Sequence, residues 1–323
     1  MKIASMIRYY MFLFLILLAF SSCSKTETLA DIKEAITLDL IEDISSDSLM
    51  SYVTWMQNMG TRFCLAENRR QVAVAIRDKY DSFGYTDTRL DSFILERTYR
   101  DIDYSLWQYN VVARIKGSLY PDSVSVMGAH YDSILGGNES DPFTLAPGAH
   151  DNASGVAAAL EVARVIKANN FIPEGSIEFV AFAAEELGLY GSMHYASSAR
   201  YADASIKLML NNDMIAYEPS GNEEQWKVNI LNYENSLNLP LIASRLAAKY
   251  TVLNTYTDNT YNMYSDSFMF SQYGYPALFF FKDADDPYYH STNDIVSNCN
   301  FTYSREIVSI SAAILVEKNV YNR

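Results

Sequence analysis

Three of the four histidines in this chain of 323 residues stand in segments that are rich in carboxylates. The segments are AHYDS around His130, GAHDNASG around His150 and YYHSTND around His290. Imidazole and carboxylate groups are the ligands that zinc and related metals take when thiolates are scarce. The three cysteines are too few and too irregularly spaced for a structural zinc site. The pattern therefore predicts a metal site built from histidine and carboxylate side chains.

Most of the candidate ligands follow apolar runs that are typical of buried strands, such as SVSVMGA, SIEFVAFAA and KLMLNN. The residues placed in this way are His130, Asp132, Glu185, Glu186, Asp213 and, a few residues beyond its strand, His290. His150 and Asp151 stand at the start of a predicted helix that begins near Ala153. Functional groups gather at the carboxyl ends of parallel strands. We therefore expect these side chains to meet on one rim of a sheet.

The elements that must position these residues alternate between strand and helix from about residue 92 onward. Strands are predicted at 107–115, 123–129, 176–183, 207–211, 227–231 and 277–281. Helices are predicted at 153–168, 187–199, 237–250 and 303–321, after an earlier helical pattern over 47–83. This alternation predicts an α/β fold with a mostly parallel central sheet and helices on both faces.

Composition and missing motifs narrow the possible functions. A formal charge of −14 argues against a nucleic-acid partner, because phosphate binding needs a basic face. The sequence contains no H-E-x-x-H helix, no G-x-S-x-G elbow and no glycine-rich phosphate loop. In an oxidising compartment, Cys64 and Cys299 permit one disulfide.

The N-terminus carries a targeting signal in which two basic residues precede the apolar stretch MFLFLILLAF at 11–20. Cys23 follows in a position that resembles the lipobox of bacterial lipoproteins, although an ordinary cleaved signal with an incidental cysteine is the alternative. The prediction is a signal peptide over 1–22, lipidation at Cys23 and a lipid-anchored tether over 23–40. The protein is therefore expected to be exported and anchored in a bacterial cell envelope, touching the membrane only through its lipid.

The segments GAHYDS, APGAHDNASGVAAALEVAR, EFVAFAAEELGLYGS, LNNDMIAYE and YYHSTND occur in that order. They resemble the successive metal-site motifs of peptidase family M28, whose members are two-zinc aminopeptidases. The resemblance covers about 105–323 and implies a zinc-peptidase-like three-layer αβα sandwich. It assigns 41–323 to the peptidase domain, with an N-terminal helical segment over 41–95 and a catalytic core over 96–323.

The resemblance also implies a role for each ligand. Asp151 bridges two zinc ions together with a water or hydroxide. His130 and Asp213 complete one zinc site, while Glu186 and His290 complete the other. The implied substrates are peptides with a free N-terminus.

Glu185 and Asp132 take part in the implied catalysis, and Asp294 is assigned a supporting role by its position. Glu185 is the general base that activates the water. Asp132 accepts the free imidazole N–H of His130, and Asp294 acts in a similar way four residues beyond His290.

Several features leave alternatives open. His150 stands where many relatives have Asn or another acid, so that it either supports the site or competes for metal. Either Tyr261 or Tyr264 corresponds to the tyrosine that stabilises the oxyanion in some relatives, and the S-D-S at 265–267 replaces their S-D-H. A glutaminyl cyclase and a non-catalytic binding protein are alternative functions. A carboxypeptidase or dipeptidase is a further one, and would need Arg62, Arg69 or Arg70 to reach the substrate carboxylate.

Overall fold

A computed structural model describes residues 28–137 and 141–321 of the chain. The strands are β1 Asp87–Tyr99, β2 Ile102–Ile115, β3 Tyr120–His130, β4 Gly175–Phe182, β5 Ser205–Asn212, β6 Lys227–Asn232, β7 Asn254–Tyr256 and β8 Ala277–Lys282. The α-helices of the described residues are α1 Leu29–Asp43, α2 Ser46–Gln57, α3 Arg69–Ser82, α4 Ser154–Ala168, α5 Tyr190–Tyr201, α6 Leu239–Tyr250, α7 Ser267–Gln272 and α8 Phe301–Asn319.

One sheet contains the strands in the order β1-β2-β4-β3-β5-β8-β6-β7. The four central strands β4, β3, β5 and β8 are parallel to one another. Strands β1 and β2 join on one side, and β6 on the other, through antiparallel pairs. The sheet is therefore mixed, with the predicted parallel arrangement at its centre. Because the central strands run in one direction, their carboxyl ends meet at the same edge.

Helices cover both faces of the sheet, which confirms the predicted α/β sandwich. Helices α4 and α8 contact one face, and α5 and α7 contact the other. Strand β4 shows why both faces must be covered, since all of its residues are buried. Phe179 and Ala181 join the larger apolar cluster, whereas Val180 and Phe182 join the smaller one. A strand that is apolar on both sides is typical of a doubly covered sheet.

Helix α4 approaches the carboxyl edge with its N-terminus. Its sequence SGVAAALEVARVIKA combines good helix formers with small side chains, and the helix is buried over most of its length. Gly155 in its first turn is required by packing, because a Cβ there would lie 2.0 Å from the main-chain oxygen of Asn212. This close approach brings the residues before α4 to the end of β5.

The N-terminal part of the chain differs from the sequence prediction in two places. The tether predicted over 23–40 contains most of α1, a helix that packs against α8 and buries Leu40 in the core. Only Thr37 and Leu40 of α1 are buried, so its apolar face is too narrow to be recognised in the sequence. The helical segment predicted over 41–95 overlaps β1, an edge strand in which only Phe93 and Leu95 are buried.

The predicted signal peptide over 1–22 and the lipidation site Cys23 lie outside the described residues. Within the described ranges, no helix is both long enough and apolar enough to cross a membrane.

Candidate metal centre

The ends of the central strands place the predicted ligands at one edge of the sheet. His130 is the last residue of β3, and Asp213 follows β5 directly. Glu185 and Glu186 lie in the turn after β4, and His290 lies in the loop after β8. Side chains from four neighbouring strands therefore converge although they are far apart in sequence.

Asp151 occupies the middle of this cluster, in the turn before α4. Its Oδ1 lies 3.3 Å from Nε2 of His130, and its Oδ2 lies 3.2 Å from Nε2 of His290. Asp213 Oδ1 lies 3.5 Å from Nε2 of His130, and Glu186 Oε2 lies 3.0 Å from Nε2 of His290. Three groups of three residues in the cluster have their ligand atoms within 4.8 Å of one another. One of them consists of His130, Glu185 and Glu186. The other two share Asp151, which turns one carboxylate oxygen toward each.

The donor atoms of this cluster fit metal ions. Oε1 of Glu186, Oδ1 of Asp213 and Nε2 of His290 are buried without a hydrogen-bond partner among the described residues. A buried polar atom left without a partner costs about 1–3 kcal/mol. Bonds of about 2.0–2.2 Å to a tetrahedral zinc would hold neighbouring ligand atoms roughly 3–3.5 Å apart. The measured separations lie in this range, so the residues present suit two such ions.

Protons and cations compete for these ligands. Burial raises the pKa of Glu186 to about 7, and the neighbouring charge of Asp151 acts in the same direction. Burial alone would lower the pKa of His290, but its contacts with Asp151 and Glu186 outweigh this and raise it to about 10. In Asp151, burial is likewise outweighed by the two imidazoles, which hold its carboxyl pKa below the ordinary value. A metal that binds here must therefore displace protons.

Glu185 belongs to neither of the two groups that share Asp151. Its side chain is buried, and its Oε2 lies 3.9 Å from Nε2 of His130. Burial raises the pKa of this carboxyl well above its ordinary value, while His130 opposes the shift and Glu186 reinforces it. A carboxyl group that binds a proton this readily is suited to accepting and returning one during catalysis.

The carboxylate of Asp132 holds the turn that carries the two glutamates. It accepts hydrogen bonds from the main-chain N–H of Glu185 at 3.0 Å and of Glu186 at 3.3 Å. Nδ1 of His130 lies 3.2 Å from the main-chain oxygen of Asp132 and 3.7 Å from its carboxylate. The expected contact with the imidazole is therefore made chiefly by the main-chain oxygen of Asp132.

Asp294 also differs from its expected role. Instead of contacting the imidazole of His290, its two carboxylate oxygens accept from the main-chain N–H of His150 at 2.7 Å and of Asp151 at 3.0 Å. Nδ1 of His150 accepts a hydrogen bond from the main-chain N–H of Ala216 at 3.0 Å. Burial lowers the pKa of His150 to about 3, so that its ring is neutral.

Sequence reasoning missed the residues that orient Asp213. Ser265 donates its hydroxyl proton to Oδ2 of Asp213 at 2.7 Å, and accepts from the side-chain amide of Asn211 at 2.6 Å. In the sequence, the S-D-S segment stands out only as a departure from a family pattern. Its serine lies 52 positions beyond Asp213, so no local spacing connects the two.

A cavity of about 1120 Å³ opens over the cluster. Its walls include the aromatic residues Tyr256, Tyr261, Tyr264, Phe279, Phe281 and Tyr289. Tyr261 and Tyr264 both line the cavity, with ring centroids 6.1 Å apart, and both are more than half exposed. The ring of Tyr289 stacks on the imidazole of His290 at a centroid distance of 3.8 Å.

None of the three arginines considered as carboxylate ligands lines this cavity. The guanidinium of Arg62 is buried and donates to main-chain oxygens, among them those of Tyr131, Pro147 and Gly148. Arg69 also donates to main-chain oxygens, and Arg70 lies against the ring of Tyr109.

The two cysteines Cys64 and Cys299 and the fourth histidine, His194, take no part in the cluster of ligands. Cys64 and Cys299 are free thiols, so the permitted disulfide is absent from the structure. His194, the fourth histidine, stacks on Phe93 and lies 3.3 Å from a carboxylate oxygen of Asp91, away from the cavity.

The fold places a cluster of histidine and carboxylate side chains that could hold metal on the carboxyl edge of an α/β sheet. The family model of peptidase family M28 matches residues 110–315, and the chain belongs to that family.

Individual relatives agree with this assignment. A probable zinc metalloprotease of Leptosphaeria maculans is 32% identical over 188 residues, which are 54% of this chain and 42% of that protein. A probable leucine aminopeptidase of Trichophyton verrucosum is 30% identical over 219 residues, or 65% of this chain and 56% of that protein. The chain thus spans only about half the length of these two relatives.

Solved structures share the fold. The LapA aminopeptidase of Legionella pneumophila superposes with a TM-score of 0.74 at 22% identity, over 90% of this chain and 75% of that chain. A leucine aminopeptidase precursor of Bacteroides thetaiotaomicron gives a TM-score of 0.69 at 17% identity, over 87% of this chain and 98% of that chain.

Proposed function

We propose that this chain is a metallo-aminopeptidase that holds two zinc ions and removes residues from the N-terminus of peptides. The observation that carries the proposal is the pair of three-residue groups that share Asp151, with the carboxyl of Glu185 beside them. The relatives named as zinc metalloprotease and leucine aminopeptidase support the same reaction class.

The site residues have different roles in peptide hydrolysis. Two zinc ions bound here would polarise the scissile carbonyl and lower the pKa of a shared water. Glu185 takes the proton from the attacking water and passes it to the leaving amine, a contribution of about 10²–10⁴-fold. Asp132 keeps this carboxyl in place through its hydrogen bond to the main chain of Glu185.

The charge of the cavity favours an amino-terminal substrate over a carboxyl-terminal one. Besides the predicted ligands and base, the described lining includes four acids, Asp258, Asp283, Asp285 and Asp286. Lys282 is the only lysine or arginine in that lining. A protonated α-amine is attracted to such a wall, whereas a substrate carboxylate is repelled by it. This supports an aminopeptidase rather than a carboxypeptidase.

A chromogenic assay tests the proposal directly. The domain over residues 24–323, which lacks the proposed lipidation site, is incubated with leucine p-nitroanilide and with its N-acetylated form, with zinc and with chelator. Cleavage of the free-amine substrate alone, lost with chelator and in Glu185→Gln, is the expected result. If neither substrate is cleaved although the protein binds about two zinc ions, a carboxypeptidase, a dipeptidase or a cyclase replaces the aminopeptidase. Absence of bound metal would refute the metal mechanism.

We further propose that the protein is exported and held to the bacterial cell envelope by a lipid on Cys23. Helix α1 begins at Leu29, six positions beyond that cysteine, so the domain would lie close to the membrane surface. Labelled palmitate is expected to enter the wild-type protein but not a Cys23→Ser variant, which should leave the membrane fraction. If both proteins were found equally in the membrane fraction, the lipid anchor would be refuted and only the proposed export would remain.

A further inference from the structure

His150 contacts both sides of the segment that carries His290. On one side, Asp294 accepts the main-chain N–H of His150 at 2.7 Å. On the other side, Nε2 of His150 lies 3.7 Å from Oδ2 of Asp286. The next residue after His150 is Asp151, which is common to both groups of ligands. His150 therefore lies where the loop that carries Asp151 meets the loop that carries His290.

The hydrogen bond to Ala216 determines what the ring of His150 can do. Nδ1 accepts the main-chain N–H of Ala216, so Nδ1 offers a lone pair and the proton of the neutral ring is on Nε2. A protonated Nε2 cannot bind a metal, and this argues against competition with the ligands. It is instead a donor that faces the carboxylate of Asp286.

Asp286 has a carboxylate oxygen that is free to accept this hydrogen bond. Its side chain is 1% exposed, and Oδ2 has no hydrogen-bond partner, as is also true of Nε2 of His150. The other oxygen, Oδ1, accepts the main-chain N–H of Tyr288 at 2.8 Å and so shapes the turn that leads to His290. A contraction of less than 1 Å would bring Nε2 and Oδ2 to an ordinary hydrogen-bond distance.

We propose that His150 and Asp286 form a positioning pair that sets the distance between Asp151 and His290. Asp286 acts on the loop that carries His290, whereas Asp294 separately holds the main chain of the shared ligand Asp151. The effect of the pair therefore falls mainly on the metal position formed by Asp151, Glu186 and His290. This inference presupposes the two-metal function proposed above. Hydrogen-bond partners behind metal ligands typically contribute 10–100-fold to metal affinity.

Zinc titration of the metal-free protein by calorimetry tests the pair without measuring activity. His290→Ala identifies which of the two binding steps belongs to the position that contains His290. In both His150→Leu and Asp286→Ala, that step is expected to weaken 10–100-fold, while the other step changes less than twofold. The double variant should be no weaker than either single variant, because both changes remove the same contact.

His194→Leu is the matched control, since it removes a histidine that lies away from the cavity, and neither step should change. If His150→Leu fails to fold without metal, Asp286→Ala in the loop after β8 still decides the question. Unchanged affinity, equal weakening of both steps or additive effects in the double variant would each overturn the pair. Failure of the wild-type chain to bind two zinc ions would instead overturn the proposed function and, with it, this inference.

A ring-nitrogen NMR spectrum provides a second readout. With only four histidines in the chain, the signals of His150 can be assigned by comparison with His150→Leu. The neutral form with its proton on Nε2 is expected, and a proton on Nδ1 would contradict the positioning pair.

Discussion

Glu178 and the carboxylates of the candidate metal centre are buried acids of one sheet and its carboxyl edge, but their surroundings differ. Glu178 lies within β4, and its carboxylate oxygens lie 3.5 Å from the guanidinium groups of Arg89 and Arg114. The hydroxyl of Tyr195 donates to the same carboxylate at 2.5 Å. At the carboxyl edge, by contrast, no lysine or arginine forms an ion pair with Glu185 or Glu186 among the described residues.

The difference distinguishes a buried carboxylate that the protein neutralises from one that it leaves for a ligand. Burying a charge is expensive unless a partner compensates it. Around Glu178 the partners are side chains of neighbouring strands. Around Asp151 the acids outnumber the imidazoles, and several donor atoms have no partner. The missing positive charge must come from bound cations or protons.

The largest effect that separates the two regions is expected on catalysis. Glu185→Gln should lower kcat by about 10²–10⁴-fold, because the amide cannot accept the proton of the attacking water. Zinc content should remain near two per chain, since both groups that share Asp151 keep all three of their residues. Glu178→Gln is the matched change in the other region. A similar loss of kcat in that variant would contradict the division between the two acids.

The second prediction concerns the contribution of Glu178 to the free energy of unfolding. Glu178→Ala leaves two arginines without their shared carboxylate, and should lower the free energy of unfolding by about 3 kcal/mol. Both arginines are partly exposed, with 47% and 25% of their side-chain areas accessible, which keeps the loss near the lower end for buried pairs. Urea denaturation measures the loss. Zinc affinity measured by titration should not change, and a weakened metal site would show that the two regions are coupled.

Metal removal should destabilise the carboxyl edge without affecting the arginine cluster. At a free zinc concentration of 100 times Kd, each occupied position adds about 2.7 kcal/mol to the free energy of unfolding. Adding chelator should therefore lower the midpoint of thermal unfolding, and readded zinc should restore it. The same decrease is expected in Glu178→Gln. An unchanged midpoint in the wild-type chain would argue against tight binding.

Lower pH should weaken zinc binding stepwise. The pKa values of His290, about 10, and Glu186, about 7, are raised in the metal-free protein, and both groups must lose their protons when metal binds. At the position that contains these two residues, one proton leaves between pH 7 and 10, so that affinity changes about tenfold per pH unit, and below pH 7 the second proton makes the dependence steeper. Titrations at pH 6, 7 and 8 measure these slopes. An affinity that does not depend on pH would contradict the proton-occupied cluster.

Much of the site could be predicted because its chemistry follows local rules. Each ligand of the central strands lies at the end of an apolar run, as with His130 after β3 and Asp213 after β5. Parallel strands bring such ends together whatever lies between them. The helix α1 and the strand β1 could not be predicted in this way, because only two residues of each are buried.

The sequence by itself determined the α/β architecture, the types of the ligands and their order along the chain. It could not decide the partners of groups that meet only in three dimensions. Asp294 supports Asp151 across 143 positions, and His150 faces Asp286 from another loop. The tertiary structure also placed Arg62 on main-chain oxygens and left Cys64 and Cys299 as free thiols. Strand ends are determined by periodicity along the chain, whereas hydrogen bonds between loops depend on how the packed core places those loops.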